Sequence, residues 1–332
     1  MPAVEPDNKV RRDFSSAPAI CEAEEKMRND DLLNRRRWIL GSLGAAAAAG
    51  AGAVRSDAAR GKVERLPGSG VKIALNVYSF NRPLRAGEIT LPEVVDFCAR
   101  HGIASLDATG YYFPGYPDAP PDDYVYRLKR RGFLNGVAIH GTGVRNDFAV
   151  EDAAARRRDV ELVKRWIDVA RKLGASVIRV FSGRRVPEGH TFDEVLEWMV
   201  PLMRECASYG SRRGVIVGVQ NHNDFLKTAA ETIRLVEAVD SEWFGVVLDV
   251  GSLRQGDPYA EIEKLVPYAV SWQLKENVWR GGEAEPIDLG RVKRIIERAG
   301  YRGVLPIETL GPGDPNQKVT AFLARVREVF AT

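Results

Sequence analysis

From residue 71 onward, apolar runs of about six residues alternate with longer stretches whose apolar positions recur every three to four residues, with glycine or proline between them. The short runs fall at 71–77, 103–108, 133–140, 176–181, 215–220, 244–249, 269–274 and 303–308 and predict eight strands. The longer stretches predict helices over 92–101, 122–131, 151–173, 191–212, 228–239, 258–266, 288–299 and 315–330. Within 151–173, Val160, Val163, Ile167 and Ala170 form one stripe, and Leu173-Gly174 closes the helix with a glycine C-cap. The device of helix end, glycine and strand start recurs at Arg213-Gly214-Val215 and Tyr301-Arg302-Gly303-Val304. Eight strand–helix units in about 260 residues predict an α/β fold, a closed (β/α)8 TIM barrel forming one domain over 61–332. An open doubly wound sheet usually has fewer strands. No G-x-G-x-x-G follows the first strand, and no G-x-x-x-x-G-K occurs.

The first sixty residues do not share this pattern. Residues 1–34 are polar and irregular, then Arg35-Arg36-Arg37-Trp38-Ile39-Leu40 leads into a small, mildly apolar run at 41–54. Paired arginines before an Ala/Gly-rich run resemble a twin-arginine export signal, and Ala51-Gly52-Ala53 offers an A-x-A cleavage site. The run is too short and too weakly apolar for a membrane span. The expectation is a leader at 1–60 that is disordered or removed, a transient meeting with the twin-arginine export machinery, and a periplasmic or otherwise exported protein.

Composition adds exclusions more than assignments. The net charge of +3 with 28% charged residues gives no basic face for nucleic acid, so none is expected as a partner. The three cysteines show no C-x-x-C spacing, and Cys98 and Cys206 fall within helices, where they read as small core residues rather than ligands. The oligomeric state is open.

In a barrel of this kind the chemistry sits at the C-terminal strand ends. Those ends are polar here: Ile139-His140-Gly141, Arg179 before Phe181-Ser182-Gly183, Gln220-Asn221-His222, Leu248-Asp249-Val250, Gln273-Leu274-Lys275 and Ile307-Glu308-Thr309. Strand alternation puts Gln220 with His222, and Gln273 with Lys275, on shared faces. Asp249 and Glu308 end apolar runs, where a carboxylate is costly unless donors or a cation meet it. Tyr111, in the aromatic stretch 111–116, is expected at the same mouth to stack on a ligand, or else to anchor a packed loop. His140, Arg179 and Arg280, with Arg145 and Asn146, are candidate substrate contacts.

Four motifs carry a family resemblance: Gly-Val-Ile-Val-Gly-Val-Gln-Asn-His at 214–222, Val-Leu-Asp-Val-Gly at 247–251, Trp-Gln-Leu-Lys-Glu at 272–276 and Leu-Pro-Ile-Glu-Thr at 305–309. In order and spacing they resemble the sugar phosphate isomerase/epimerase group of xylose-isomerase-like barrels, over roughly residues 70–330. The resemblance implies one divalent metal held by four successive strands, at positions Gln220, Asp249, Gln273 and Glu308 here. It also implies proton transfer on a small-molecule carbohydrate (a ketose, keto-sugar or cyclitol) through an enediolate. Two positions depart from the family pattern, Gln220 standing for Glu and Gln273 for His. An all-oxygen set favours Mn²⁺ or Mg²⁺, with Ca²⁺ as a further candidate. A carboxamide has no useful basicity, so the catalytic candidates are Glu308 as base with His222 or Lys275 as second proton-transfer group. Beside isomerase or epimerase stand two alternatives: a single-base lyase or hydrolase on oxidised (3-keto) sugars, and a non-catalytic sugar-binding barrel. A three-zinc endonuclease of the same fold is disfavoured, because the chain has only four histidines.

Overall fold

The structure is a computed structural model that describes residues 61–330; the expected leader lies outside them. Eight parallel strands close a barrel: β1 (Gly70–Asn76), β2 (Ser105–Asp107), β3 (Ala138–Gly143), β4 (Val177–Phe181), β5 (Ile216–Gln220), β6 (Phe244–Asp249), β7 (Ala269–Lys275) and, after a two-stranded hairpin of β8 (Asn277–Arg280) and β9 (Glu283–Pro286), β10 (Arg302–Glu308). The helices are α1 (Asn81–Ala86), α2 (Leu91–Arg100), α3 (Asp122–Leu134), α4 (Ala153–Leu173), α5 (Phe192–Ser211), α6 (Ala229–Val239), α7 (Pro258–Leu265), α8 (Leu289–Arg298) and α9 (Pro315–Phe330). Each barrel strand is hydrogen-bonded to the next, and β10 pairs with β1 to close the ring.

Local chemistry explains the helix ends. Thr90 with Glu93, Thr191 with Glu194 and Thr228 with Glu231 form reciprocal capping boxes that satisfy otherwise orphaned amides. Helix α4 starts on Asp152, whose side chain accepts from the Ala154 amide, and ends on Gly174 at φ 81°. Its predicted stripe Val160, Val163, Ile167 and Ala170 is fully buried. Cys98 and Cys206 are buried free thiols within the same helix–strand core.

Strand β3 differs from the sequence expectation. The apolar residues Phe133 and Leu134 finish α3 and are 83% and 61% exposed, while Gly136 turns the chain at φ 69° before the strand begins. The strand therefore runs three residues past His140, which lies in its middle rather than at its mouth end. The β2–β3 register also slips between Leu106 and Asp107, so Asp107 pairs with Gly141 and His140 is left as a bulge. The hairpin β8–β9, inserted between β7 and α8, is a further element that the strand–helix count did not contain.

Candidate active site

The mouth of the barrel holds a cavity of about 200 Å³ whose wall includes Tyr111, Arg179, Gln220, His222, Gln273, Lys275 and Glu308, together with Asn76, Tyr78 and Thr109. An adjoining groove of about 350 Å³ shares Tyr78 and Leu310 with it. A larger concavity of about 730 Å³ lies between α2 and α3, away from these strand ends. The mouth cavity is the one where buried polar groups converge, which marks it as the functional candidate.

Register explains the convergence. Asp249 pairs with Gln273, and Glu308 pairs with Lys275, so β6, β7 and β10 deliver their last polar residues in one layer. Asn221 clamps Asp249 by its backbone, its Oδ1 accepting from the Asp249 amide and its Nδ2 donating to the Asp249 carbonyl, both at 2.9 Å. The Asp249 carboxylate is fully buried. Its Oδ1 accepts from the Gly251 amide (3.0 Å), and its Oδ2 accepts from Gln220 Nε2 (2.8 Å), Ser252 Oγ (2.8 Å) and Lys275 Nζ (2.7 Å). Gln220 Nε2 also donates to Gln273 Oε1 at 2.7 Å. Burial pushes the Asp249 carboxyl up most strongly, but the charge and hydrogen bond of Lys275, with His222 and Ser252, together outweigh it and hold the group below the usual carboxylate range. Burial likewise opposes the charge on Lys275, yet Asp249 and then Glu308 raise it above the ordinary lysine value. Gly251 makes room for this lysine: a Cβ there would lie 2.6 Å from Lys275 Cδ.

Glu308 behaves oppositely. It is buried, its Oε2 has no hydrogen-bond partner, and burial pushes its carboxyl up to about 7. Lys275 and Arg179 pull that value down, whereas Asp249 and Asp107 push it up. Arg179 is buried and donates to the Val144 carbonyl (2.5 Å) and to Tyr111 Oη (2.8 Å). Gly143 leaves space for it, because a Cβ would meet the guanidinium at 3.0 Å. His222 bonds Asp224 through Nδ1 at 2.7 Å, which leaves Nε2 as the basic nitrogen when Asp224 is ionised.

The candidate substrate contacts divide. Tyr111, Arg179 and Arg145 line the cavity, and Tyr111 packs edge-on against Tyr116, itself against Trp166, so the aromatic loop is anchored while one of its rings faces the mouth. His140 does not reach it. The bulge and the longer strand leave its Nδ1 2.7 Å from Ser105 Oγ, and burial holds the ring near pKa 4, hence neutral. Arg280 sits on the hairpin, engaged by Glu285 at 3.0 Å and Asp257 at 3.7 Å, outside the cavity wall. Asn146 spends both its amide ends on the Phe181 backbone. Asp107 is not among the sequence candidates, whereas Ser252 stands three residues after Asp249 where the resemblance implies a His. Asp107 ends β2 as a buried carboxyl pushed to about 6 by burial, against the pull of Arg179. Ser252 completes the Asp249 shell. Asp107 closes an apolar run as Asp249 does, and that was the available signal.

A divalent cation does not fit the four expected positions as they are arranged. They do converge, but the Asp249 oxygens already accept four donors, and Gln220 presents its NH₂ rather than its oxygen. An ammonium also stands where a ligand's lone pair would be needed. Unit charges about 4 Å apart repel by about 4 kcal/mol at an effective dielectric of 20, and a divalent ion doubles that. Among the described residues no cluster of three or more His, Cys, Asp or Glu is arranged to hold a metal.

The sequence model of the family described as "Xylose isomerase-like TIM barrel" matches residues 95–328. No curated protein matches the chain. Among solved structures, it is similar to D-psicose 3-epimerase with D-tagatose from Clostridium cellulolyticum H10, at 17% identity and TM-score 0.65, covering 78% of this chain and 99% of that one. It is also similar to a 3-keto-D-glucoside 4-epimerase from E. coli, at 13% identity and TM-score 0.63, covering 78% and 100%. A third is the IolI protein, solved with a zinc atom, at 15% identity and TM-score 0.64, covering 79% and 100%. At these identities the likeness establishes the fold.

Proposed function

This chain belongs to the xylose isomerase-like TIM barrel family, whose members commonly bind divalent metals, and from that premise we propose that it catalyses proton transfer beside the carbonyl of a keto-sugar, ketose or cyclitol. The observation that carries the reading is Glu308: a buried carboxylate with an unpartnered oxygen, in the wall of the mouth cavity, shifted to about 7. A base whose pKa lies near neutrality combines a populated charged form with useful basicity.

Glu308 takes the proton from the carbon next to the carbonyl. The C–H electron pair becomes the carbon–carbon double bond of the enediolate, and the carbonyl π pair moves to oxygen. Return of the proton from Glu308 to the neighbouring carbon, with the hydroxyl proton passing between the two oxygens, completes an isomerisation. Neither Gln220 nor Gln273 has the basicity to act from the opposite face. Inversion at one carbon then requires His222 Nε2 as the second group. A second reading is favoured by the same single free base: β-elimination from an oxidised sugar, in which the enediolate expels a leaving group from the adjacent carbon. Arg179 and Tyr111, already joined by a hydrogen bond, would orient hydroxyls at the rim.

Solvent-deuterium incorporation into a panel of ketoses, inososes and 3-keto sugars tests the proposal. Incorporation that disappears in Glu308→Gln supports it. Incorporation that survives that change assigns the base elsewhere. The leader motif supports a proposal of export by the twin-arginine route, under which free or oxidised sugars suit the site better than sugar phosphates.

A further inference from the structure

The misfit between this site and a divalent cation has a positive counterpart in Lys275. We propose that the Lys275 ammonium is the built-in cation of this barrel, standing in for a metal and meeting the charge that develops on the substrate oxygen. The inference rests on the mouth cavity being the active site.

Three observations carry it. First, Lys275 Nζ is bonded to Asp249 Oδ2 at 2.7 Å, on the carboxylate that is the most enclosed acid of the site. Second, that bond is the only one its ammonium makes among the described residues, so two of its three N–H groups have no protein acceptor, and the residue lines the cavity. Third, the surroundings are shaped to this side chain: Gly251 admits its stem, where a Cβ would lie 2.6 Å from Cδ. Gln220 turns an amide NH₂ to the same Asp249 oxygen, a neutral donor where a third carboxylate would deepen the negative charge around the lysine.

Charge balance agrees. Asp249, Glu308 and Lys275 sum to −1 with Glu308 ionised and to zero with it protonated. Glu308 is thus free to take up and release a proton beside a neutralised pair. A divalent ion in the same layer would bring the sum to +1 and hold Glu308 ionised, at the expense of its basicity. An ammonium donates hydrogen bonds to an enediolate oxygen from a position fixed by its ion pair, which is the electrostatic role a Lewis acid otherwise fills.

The test begins with metal binding, which needs no substrate. Chelator-treated protein is titrated with Mn²⁺, Mg²⁺ and Zn²⁺ by calorimetry, and its melting temperature is followed with each ion. The proposal expects no stoichiometric heat and no shift. Stoichiometric Mn²⁺ binding at micromolar affinity that is lost in Asp249→Asn would overturn it. The second arm uses Lys275→Met paired with Asp249→Asn, which removes the ion pair together and strands neither of its two charges. In this variant deuterium exchange is expected to fall at least 100-fold, with a melting transition that remains cooperative. Undiminished exchange would overturn the role of Lys275. If the wild type exchanges no substrate at all, the functional proposal fails while the calorimetry still decides the cation question.

Discussion

Glu308 and Asp249 are two buried carboxyls a strand apart, and their surroundings drive them in opposite directions. Asp249 is met by four donors and stays ionised; Glu308 keeps an unpartnered oxygen and rises to about 7. In the unfolded chain Glu308 titrates near 4.5. Between those values the folded protein holds a proton that the unfolded chain has released, so this group's contribution to stability is fully present below 4.5 and declines as pH rises towards 7. Its basic form gains over the same window. Exchange is expected to climb about tenfold per pH unit below neutrality and to level off above it, and Glu308→Gln to lower it at least ~100-fold. A flat profile from pH 5 to 8 would remove Glu308 from the base role. Gly251→Ala places a methyl group against Lys275 Cδ and is expected to cost about 1–3 kcal/mol by denaturant titration, with exchange reduced as the ammonium shifts. Strand-end position and the family resemblance made the meeting of Gln220, Asp249, Gln273 and Glu308 legible in the sequence, and side-chain alternation put Lys275 on the face of Gln273. The saturation of Asp249 was not, because it depends on which end of an amide faces the carboxylate and on a backbone amide two residues away.

At the scale of elements, the long helices and most strands follow from apolar periodicity and from caps with a stated chemistry, as in α4 and its Asp152 and Gly174 ends. Strand β3 did not follow, because Phe133 and Leu134 are apolar yet solvent-facing, and a run of apolar letters carries no record of burial. That offset of a few residues moved His140 from the mouth into the strand body. Gly136→Ala is expected to cost about 1–2 kcal/mol, since its φ of 69° disfavours a Cβ; an unchanged unfolding midpoint would show that the turn relaxes. The hairpin β8–β9 likewise has no strong periodic signature, and it carries Arg280 away from the cavity into ion pairs with Glu285 and Asp257. Arg280→Ala is therefore expected to leave KM unchanged for whatever substrate exchanges, whereas Arg179→Ala, which removes a buried member of the wall, is expected to raise it.

For the molecule as a whole, the closed ring of eight parallel strands assembles at one mouth a carboxyl, an ammonium and a guanidinium delivered by different strands. Export remains a separate proposal about residues 1–60. Fused to a reporter that works only after twin-arginine transport, this segment is expected to give signal, and Arg35→Lys with Arg36→Lys to abolish it; equal signal from both fusions would contradict it. The central claim is proton transfer by Glu308 at this mouth. The measurement that tests it most directly is deuterium incorporation from D₂O into 3-keto sugars, ketoses and inososes, followed by NMR, with wild type and Glu308→Gln compared at pH 7.5. The account predicts incorporation beside the carbonyl of at least one substrate by the wild type and at least ~100-fold less by the variant. Equal incorporation by the two proteins, or none by a cooperatively folded wild type with any of the panel, would contradict it.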